Sequence, residues 1–209
     1  MRKIRKGQEP ESLGQWKRVN PQQRYNNLPP TERQSIRAAC LEEQYGLCAY
    51  CCHGITVDSA HNEHVEAQDS APNRTLDFSN IVASCNHSKQ CGDAHKSQFL
   101  PLSALMDECE TELKFYLSGA VEGLTARAQK TITVLNLGDT RTNNLALFNA
   151  RKTLIESLLF TQGIEPSELG LESDDVLSLL LDELQQPDEN NRLQPFAPVL
   201  VNVLRQIQR

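Results

Sequence analysis

All five histidines, His53, His61, His64, His87 and His95, fall between Cys48 and His95, together with five of the seven cysteines, Cys48, Cys51, Cys52, Cys85 and Cys91. Packing does not cause such crowding, because buried His and Cys are normally dispersed through a core according to fit. Metal chemistry does. Cys48-x-x-Cys51 has the spacing with which a tight turn presents two thiolates to one Zn2+, and Cys85 with Cys91 would complete a tetrahedral four-cysteine site. Such a site is closed and therefore structural. Cys52 competes with Cys51 for the second position. The five residues between Cys85 and Cys91 exceed the usual interval of about two to four, so His87 or His95 is an alternative to Cys91. The clustering favours metal binding over a disulfide framework. Cys40 and Cys109, outside the cluster, are expected as small apolar core residues.

Between the two cysteine pairs lie Glu63-His64 and, sixteen residues after His64, Asn80. Cleaving a phosphodiester needs an activated water, a cation to neutralise charge developing on the phosphate and leaving oxygen, and something to fix the base. These residue types suffice. A neutral imidazole accepts a proton near pH 7, so His64 is the candidate general base. The amide of Asn80 can hold an imidazole or a loop. Glu63, with Asp93 or His95, can hold one Mg2+ or another divalent ion and leave positions open for phosphate. Side chains alternate along a strand, so Glu63 and His64 would leave a regular strand on opposite faces. His53 and His61 are expected as surface or turn residues.

The ordered set of a Cys-x-x-Cys pair, an acid-His pair, an Asn before the apolar run Ile81-Val82-Ala83 and a second cysteine pair followed by His95 resembles the HNH nuclease family, over about Leu47 to Lys96. The resemblance implies a small ββα-metal module with His64, Asn80, Glu63 and His95 as its catalytic set. Further features narrow it: Met1-Arg2-Lys3-Ile4-Arg5-Lys6, Glu9-Pro10, the Cys48-Ala49-Tyr50-Cys51 turn, Leu76-Asp77-Phe78-Ser79-Asn80 and the helical tail. Together they look like the PtuB-type HNH proteins of Septu and retron-associated antiphage systems. That likeness implies a nucleic-acid substrate and a PtuA-type ABC ATPase partner. In a retron-associated system it also implies a reverse transcriptase with its noncoding nucleic acid. The rival from another class is a catalytically inactive zinc-stabilised binding module. A redox dithiol is a poorer third, because the βαβ context it needs is not seen. DNA and RNA both remain open as substrates.

The expected fold is α+β, with the zinc module embedded among mainly helical flanks. The expected divisions are a basic arm and helix over 1–46, the nuclease module over 47–100, and a hairpin and helical region over 101–209 that forms a partner surface. Residues 1–30 read as an irregular arm anchored by Trp16. A capping box of Thr31 and Gln34 predicts a helix over Glu32–Gln44 ended by Gly46. A small hairpin with a loop insertion passes through His64, and a helix is expected from Asp93 to Phe99, stopped by Pro101. Then come a hairpin, Leu113–Leu117 with Ala120–Leu124, a helix over Ala126–Leu135 capped by Thr125, and a helical stretch from Thr140 carrying Phe148, Ile155 and Leu159. Two further helices fit Asp174–Leu184 and Ala197–Gln208.

No apolar run approaches the length of a membrane span, about 18 residues or more, and no apolar stretch follows the basic N-terminus, so a soluble, cytoplasmic protein without membrane contact is expected. The net charge of −6 conceals a gradient. Seven bases face only Glu9 and Glu11 in residues 1–24, whereas Glu165 to Glu189 contains nine acids and no base. Phosphate binding draws on Lys and Arg, so a nuclease of this composition would rely on a partner for recruitment.

Overall fold

The computed structural model describes residues 1–139 and 143–208. It is a mixed α+β structure with two small antiparallel sheets. A buried apolar cluster runs through it from Met1 to Leu204.

The N-terminal segment is more ordered than its Gln, Asn and Pro content suggests. Met1 and Ile4 are buried, and the Ile4 N–H donates to Ala104 O at 2.7 Å. The irregular arm expected here instead contains helix α1, Glu11–Val19. Glu11 in its first turn and Lys17 and Arg18 in its last complement the helix dipole, and Leu13 is fully buried where α1 packs on the next helix. That helix, α2, spans Pro30–Glu43 and starts earlier than the capping box implied. Pro30 occupies the first turn, where its missing N–H costs nothing. Thr31 therefore lies inside the helix, and no side chain caps its N-terminus. At the other end Tyr45 and Gly46 take φ of 54° and 72°, and the Gly46 N–H returns to Leu41 O at 2.9 Å. A Cβ on Gly46 would also meet the Arg192 guanidinium at 2.5 Å.

Strand β1, Ala60–His64, pairs antiparallel with β2, Ile81–Cys85, so that Ala60 faces Cys85 and His64 faces Ile81. This is the expected hairpin with its long insertion, and one-turn helices at Pro72–Arg74 and Phe78–Asn80 organise the loop. Strand β2 is buried throughout. Its outer edge meets Gln44, whose amide donates to Ala83 O at 2.9 Å and accepts from Ala83 N at 2.7 Å, in place of a neighbouring strand. Helix α3 covers only Gly92–His95, not Asp93–Phe99. Lys96 takes a φ of 52° and ends it, five residues before Pro101 would.

The second hairpin, β3 Leu113–Phe115 with β4 Val121–Gly123, is present and shorter than expected. Helix α4, Ala126–Leu135, has Thr125 as its cap, accepting from Ala128 N at 3.2 Å. Gly123 permits a close approach of β4 to α4: a Cβ there would lie 2.3 Å from Gln129 N. Helix α5, Leu145–Thr161, is capped by Asn144; Thr140, where helical periodicity was expected to begin, lies outside the described residues. Helices α6, Asp174–Gln185, and α7, Ala197–Ile207, match expectation within one residue at their ends. Arg151 of α5 is buried and donates to Gly119 O, Leu137 O and Gly138 O at 2.7, 3.1 and 2.9 Å. No described helix is long and apolar enough to cross a membrane.

Candidate metal centre and adjacent cleft

Cys48 and Cys51 lie on the turn that the Leu47–Gly54 bridge closes, Cys85 ends β2, and Cys91 immediately precedes α3. Their four sulfurs all lie within 4.8 Å of one another, and all four residues are buried. None is in a disulfide. Four sulfurs at about 2.3 Å from one zinc ion stand about 3.8 Å apart, so the group can hold a metal such as zinc with little movement. Cys51 rather than Cys52 joins it, and Cys91 rather than His87 or His95. Cys52 is buried beside it with a φ of 63°. Cys40 and Cys109 are fully buried in the apolar core, as expected, and Cys40 Sγ also meets Lys6 Nζ at 3.7 Å and Ile81 O at 3.4 Å.

Without an ion the four thiols do not share one protonation state. Hydrogen bonds from Cys48, Cys51 and Cys91 hold the Cys85 thiol far below the ordinary thiol range, while burial pushes Cys91 well above it and the Cys48 contact does the same to Cys51. Four thiolates cannot share this space without a bound positive charge. The surrounding donors suit such a centre. The Cys85 N–H points at Cys48 Sγ at 3.4 Å, and the buried Gln90 amide reaches Cys85 Sγ at 3.6 Å. Asn144 Nδ2 in turn fixes Gln90 Oε1 at 2.8 Å, which couples the cluster to the cap of α5. Gln90 has no signature in sequence; only the fold brings it to the sulfurs.

Side chains alternate along β1, and each face has its own chemistry. Glu63 and His61 turn toward α3. Glu63 Oε1 meets His95 Nδ1 at 2.5 Å, and Glu63 Oε2 stands 3.4 Å from His61 Nε2. Burial works against a charged Glu63, but the two imidazoles outweigh it and hold its carboxyl below the usual range. For His61 burial is likewise outweighed, by Glu63 and Asn86, and its pKa is raised. Asp93 lies apart from these contacts: it is exposed, and its carboxylate accepts from the Lys89 N–H at 2.5 Å. Among the described residues, the four cysteines are the only group of three or more His, Cys, Asp or Glu ligand atoms this close together.

His64 turns the other way, under the edge of the Tyr25 ring at 4.7 Å between centroids. Its Nε2 lies 2.9 Å from Thr75 O. A carbonyl only accepts, so Nε2 carries the proton and Nδ1 keeps its lone pair. Burial lowers the His64 pKa, which favours the neutral ring. Asn80 is buried and spans the mouth of the loop: its Oδ1 accepts from Glu66 N at 2.8 Å and its Nδ2 donates to Glu66 O at 3.0 Å. It holds the loop rather than the imidazole. Although Glu63 and His64 leave β1 on opposite faces, both border one polar cleft, together with Arg24, Asn62, Lys96 and Ser97. Arg24 and Lys96 were not legible as site residues, because one comes from the N-terminal arm and the other from the turn after α3. His53 stacks edge-on against His87, ring centroids 5.1 Å apart, away from these contacts.

No family model matches the chain, and no curated protein matches it.

Proposed function

We propose that the chain is a metal-dependent HNH-type endonuclease in which the four cysteines hold a structural Zn2+ and His64 is the general base. The observation that carries this reading is the placement of His64: Nε2 is tied to Thr75 O, burial favours the neutral ring and so leaves Nδ1 its lone pair, and the cleft also presents the carboxylates of Glu63 and Asp69 and the cations of Arg24 and Lys96. Nδ1 takes a proton from a water molecule as that water attacks phosphorus, the P–O bond to the departing strand breaks, and the released oxygen takes a proton from solvent. Glu63 with a neighbouring imidazole would hold a divalent ion such as Mg2+, which when bound stabilises charge on the phosphate and the leaving oxygen. Arg24 and Lys96 are available to the flanking phosphates. The hairpin β1–β2 followed by the one-turn helix α3 supports the ββα-metal reading.

A role as the effector of an antiphage system alongside a PtuA-type ABC ATPase rests on the sequence resemblance to PtuB-type proteins. The net charge of −6 supports recruitment to nucleic acid by a partner. The rival, an inactive zinc-stabilised binding module, draws support from the lack of a second close group of three ligand atoms among the described residues. His64→Ala separates them. Base removal costs on the order of 10² to 10⁴ in rate, so cleavage of nucleic acid with Mg2+ or Mn2+ should disappear while zinc content and solubility persist. Wild-type cleavage by His64→Ala would sink the mechanism.

A further inference from the structure

The Glu63 carboxylate keeps its two oxygens in different company. Oε1 is taken by His95 Nδ1 at 2.5 Å. The His95 side chain is completely buried, and its other nitrogen, Nε2, has no hydrogen-bond partner among the described residues. Nδ1 of that ring is already engaged by the carboxylate it orients. Oε2 faces His61, whose side chain is about one-third exposed, 35%. His61 Nδ1 lies 2.9 Å from Asn86 Oδ1, which only accepts, so Nδ1 donates there and Nε2 is the nitrogen turned to Oε2, available to an ion that displaces its proton. Nε2 and Oε2 stand 3.4 Å apart, longer than the usual N–H···O distance of about 2.9 Å. Ligands at about 2.1 Å on adjacent positions of one ion stand about 3.0 Å apart, so the pair is spaced as two neighbouring ligands are. It is also seated on bare backbone: a Cβ at Gly92 would lie 2.4 Å from His61 Nε2 and 2.8 Å from Glu63 Oε2.

We propose that His61 Nε2 and Glu63 Oε2 are the protein ligands of the divalent ion, and that His95 is a positioning residue that aims the carboxylate through Oε1. The assignment builds on the nuclease reading of the cleft, but it concerns ion binding alone. Carboxylate-bound His95 then acts from outside the coordination sphere, as hydrogen-bonded partners of metal ligands commonly do. The remaining positions of the ion stay free for water and for phosphate oxygens on the cleft that Glu63 borders. A pair made of one imidazole and one carboxylate favours Mn2+, Co2+ or Ni2+ over Mg2+, which prefers oxygen ligands.

Mn2+ binding to the zinc-loaded protein tests this, by calorimetry and by electron spin-echo detection of a coordinated imidazole nitrogen. The wild type should bind one Mn2+ with that nitrogen signal, and more tightly than it binds Mg2+. His61→Ala should lose the signal and bind at least about tenfold more weakly. His95→Asn, which retains a donor toward Oε1, should keep the signal, with zinc content and circular dichroism reporting that it is folded. If His95→Asn does not fold, the His61→Ala spectrum decides alone, since that ring is partly exposed. Persistence of the nitrogen signal in His61→Ala, its loss in folded His95→Asn, or no Mn2+ binding by the wild type would overturn the assignment. Failure here with cleavage still dependent on His64 would leave the nuclease reading intact; the nitrogen signal without any cleavage would do the reverse.

Discussion

Single polar atoms decide what the cleft residues can do. At His64 one backbone carbonyl fixes the protonated nitrogen, and at Glu63 each carboxylate oxygen meets a different imidazole. Asn80 works through the backbone: its amide answers both the N–H and the C=O of Glu66, and its own carbonyl accepts from Val65 N at 2.9 Å. Truncation removes the partner of the part-buried Glu66 N–H and C=O, at about 1 kcal/mol. Asn80→Ala should therefore lower the melting temperature as well as cleavage, whereas His64→Ala lowers mainly cleavage. Asn80→Asp, which restores the acceptor alone, should fall between wild type and Asn80→Ala in thermal denaturation. Unchanged stability in Asn80→Ala would show that the loop is held by something else.

At the level of elements, short strands are held by side chains borrowed from elsewhere. Gln44 of the α2 cap pairs with β2 as a neighbouring strand would, and Lys6 spans Glu43 at 2.6 Å and Ile81 O at 2.9 Å, so part of the basic arm is committed to internal contacts. The second hairpin is fastened to α4 by Glu112, which accepts from Arg127 Nε at 2.9 and 3.0 Å and from the Thr125 hydroxyl. Arg127 and Thr125 pull the Glu112 carboxyl down to about 2 from 4.5. A depressed carboxyl pKa adds stability that is complete above the unfolded value and lost as pH falls through the folded one. The melting-temperature gap between wild type and Glu112→Gln should thus be full above pH 4.5 and close toward about 2. A gap that is absent at neutral pH, or constant on acidification, would remove this fastening.

On the scale of the whole molecule, the cysteine cluster is tied into the common core rather than set apart from it. Gln90 and Asn144 connect it to α5, and the Cys91 N–H donates to Leu135 O of α4 at 2.8 Å. Structural zinc sites contribute on the order of 10 kcal/mol, comparable to the entire net stability of a domain. Zinc extraction, or Cys48→Ser or Cys85→Ser, should therefore abolish cooperative unfolding of the whole chain and not only of the hairpin. Full helix content by circular dichroism after quantitative zinc removal would contradict this. The acidic helix α6 exposes Leu179 at 71%, and Leu171 just before it is 84% exposed. This face suits a partner with basic and apolar residues, in keeping with the proposed ATPase. If the proposed PtuA-type ATPase is the partner, Leu179→Glu should abolish co-elution with it without altering zinc content or melting. Co-elution equal to wild type would move the contact elsewhere.

The sequence by itself determined the two cysteine pairs as the leading ligand candidates, the hairpin around His64, the Thr125 cap of α4 and the extents of α6 and α7, because each depends on spacing or on a local cap; the structure chose Cys51 over Cys52 and Cys91 over the histidines. It placed Glu63 and His64 on opposite faces of a strand for the same reason: alternation is a local property. Tertiary structure decided the rest. Helix α1 forms in a polar, glycine-containing segment because burial of Leu13 against α2 stabilises it, and α3 stops at His95 because Lys96 turns to positive φ. The same holds for Gln90 at the sulfurs, Asn86 at His61, and Arg24 beside Lys96 on one cleft. Those pairings join residues far apart in the chain, or set a ring's direction, and neither periodicity nor spacing encodes which long-range neighbour fills a given hydrogen-bonding position.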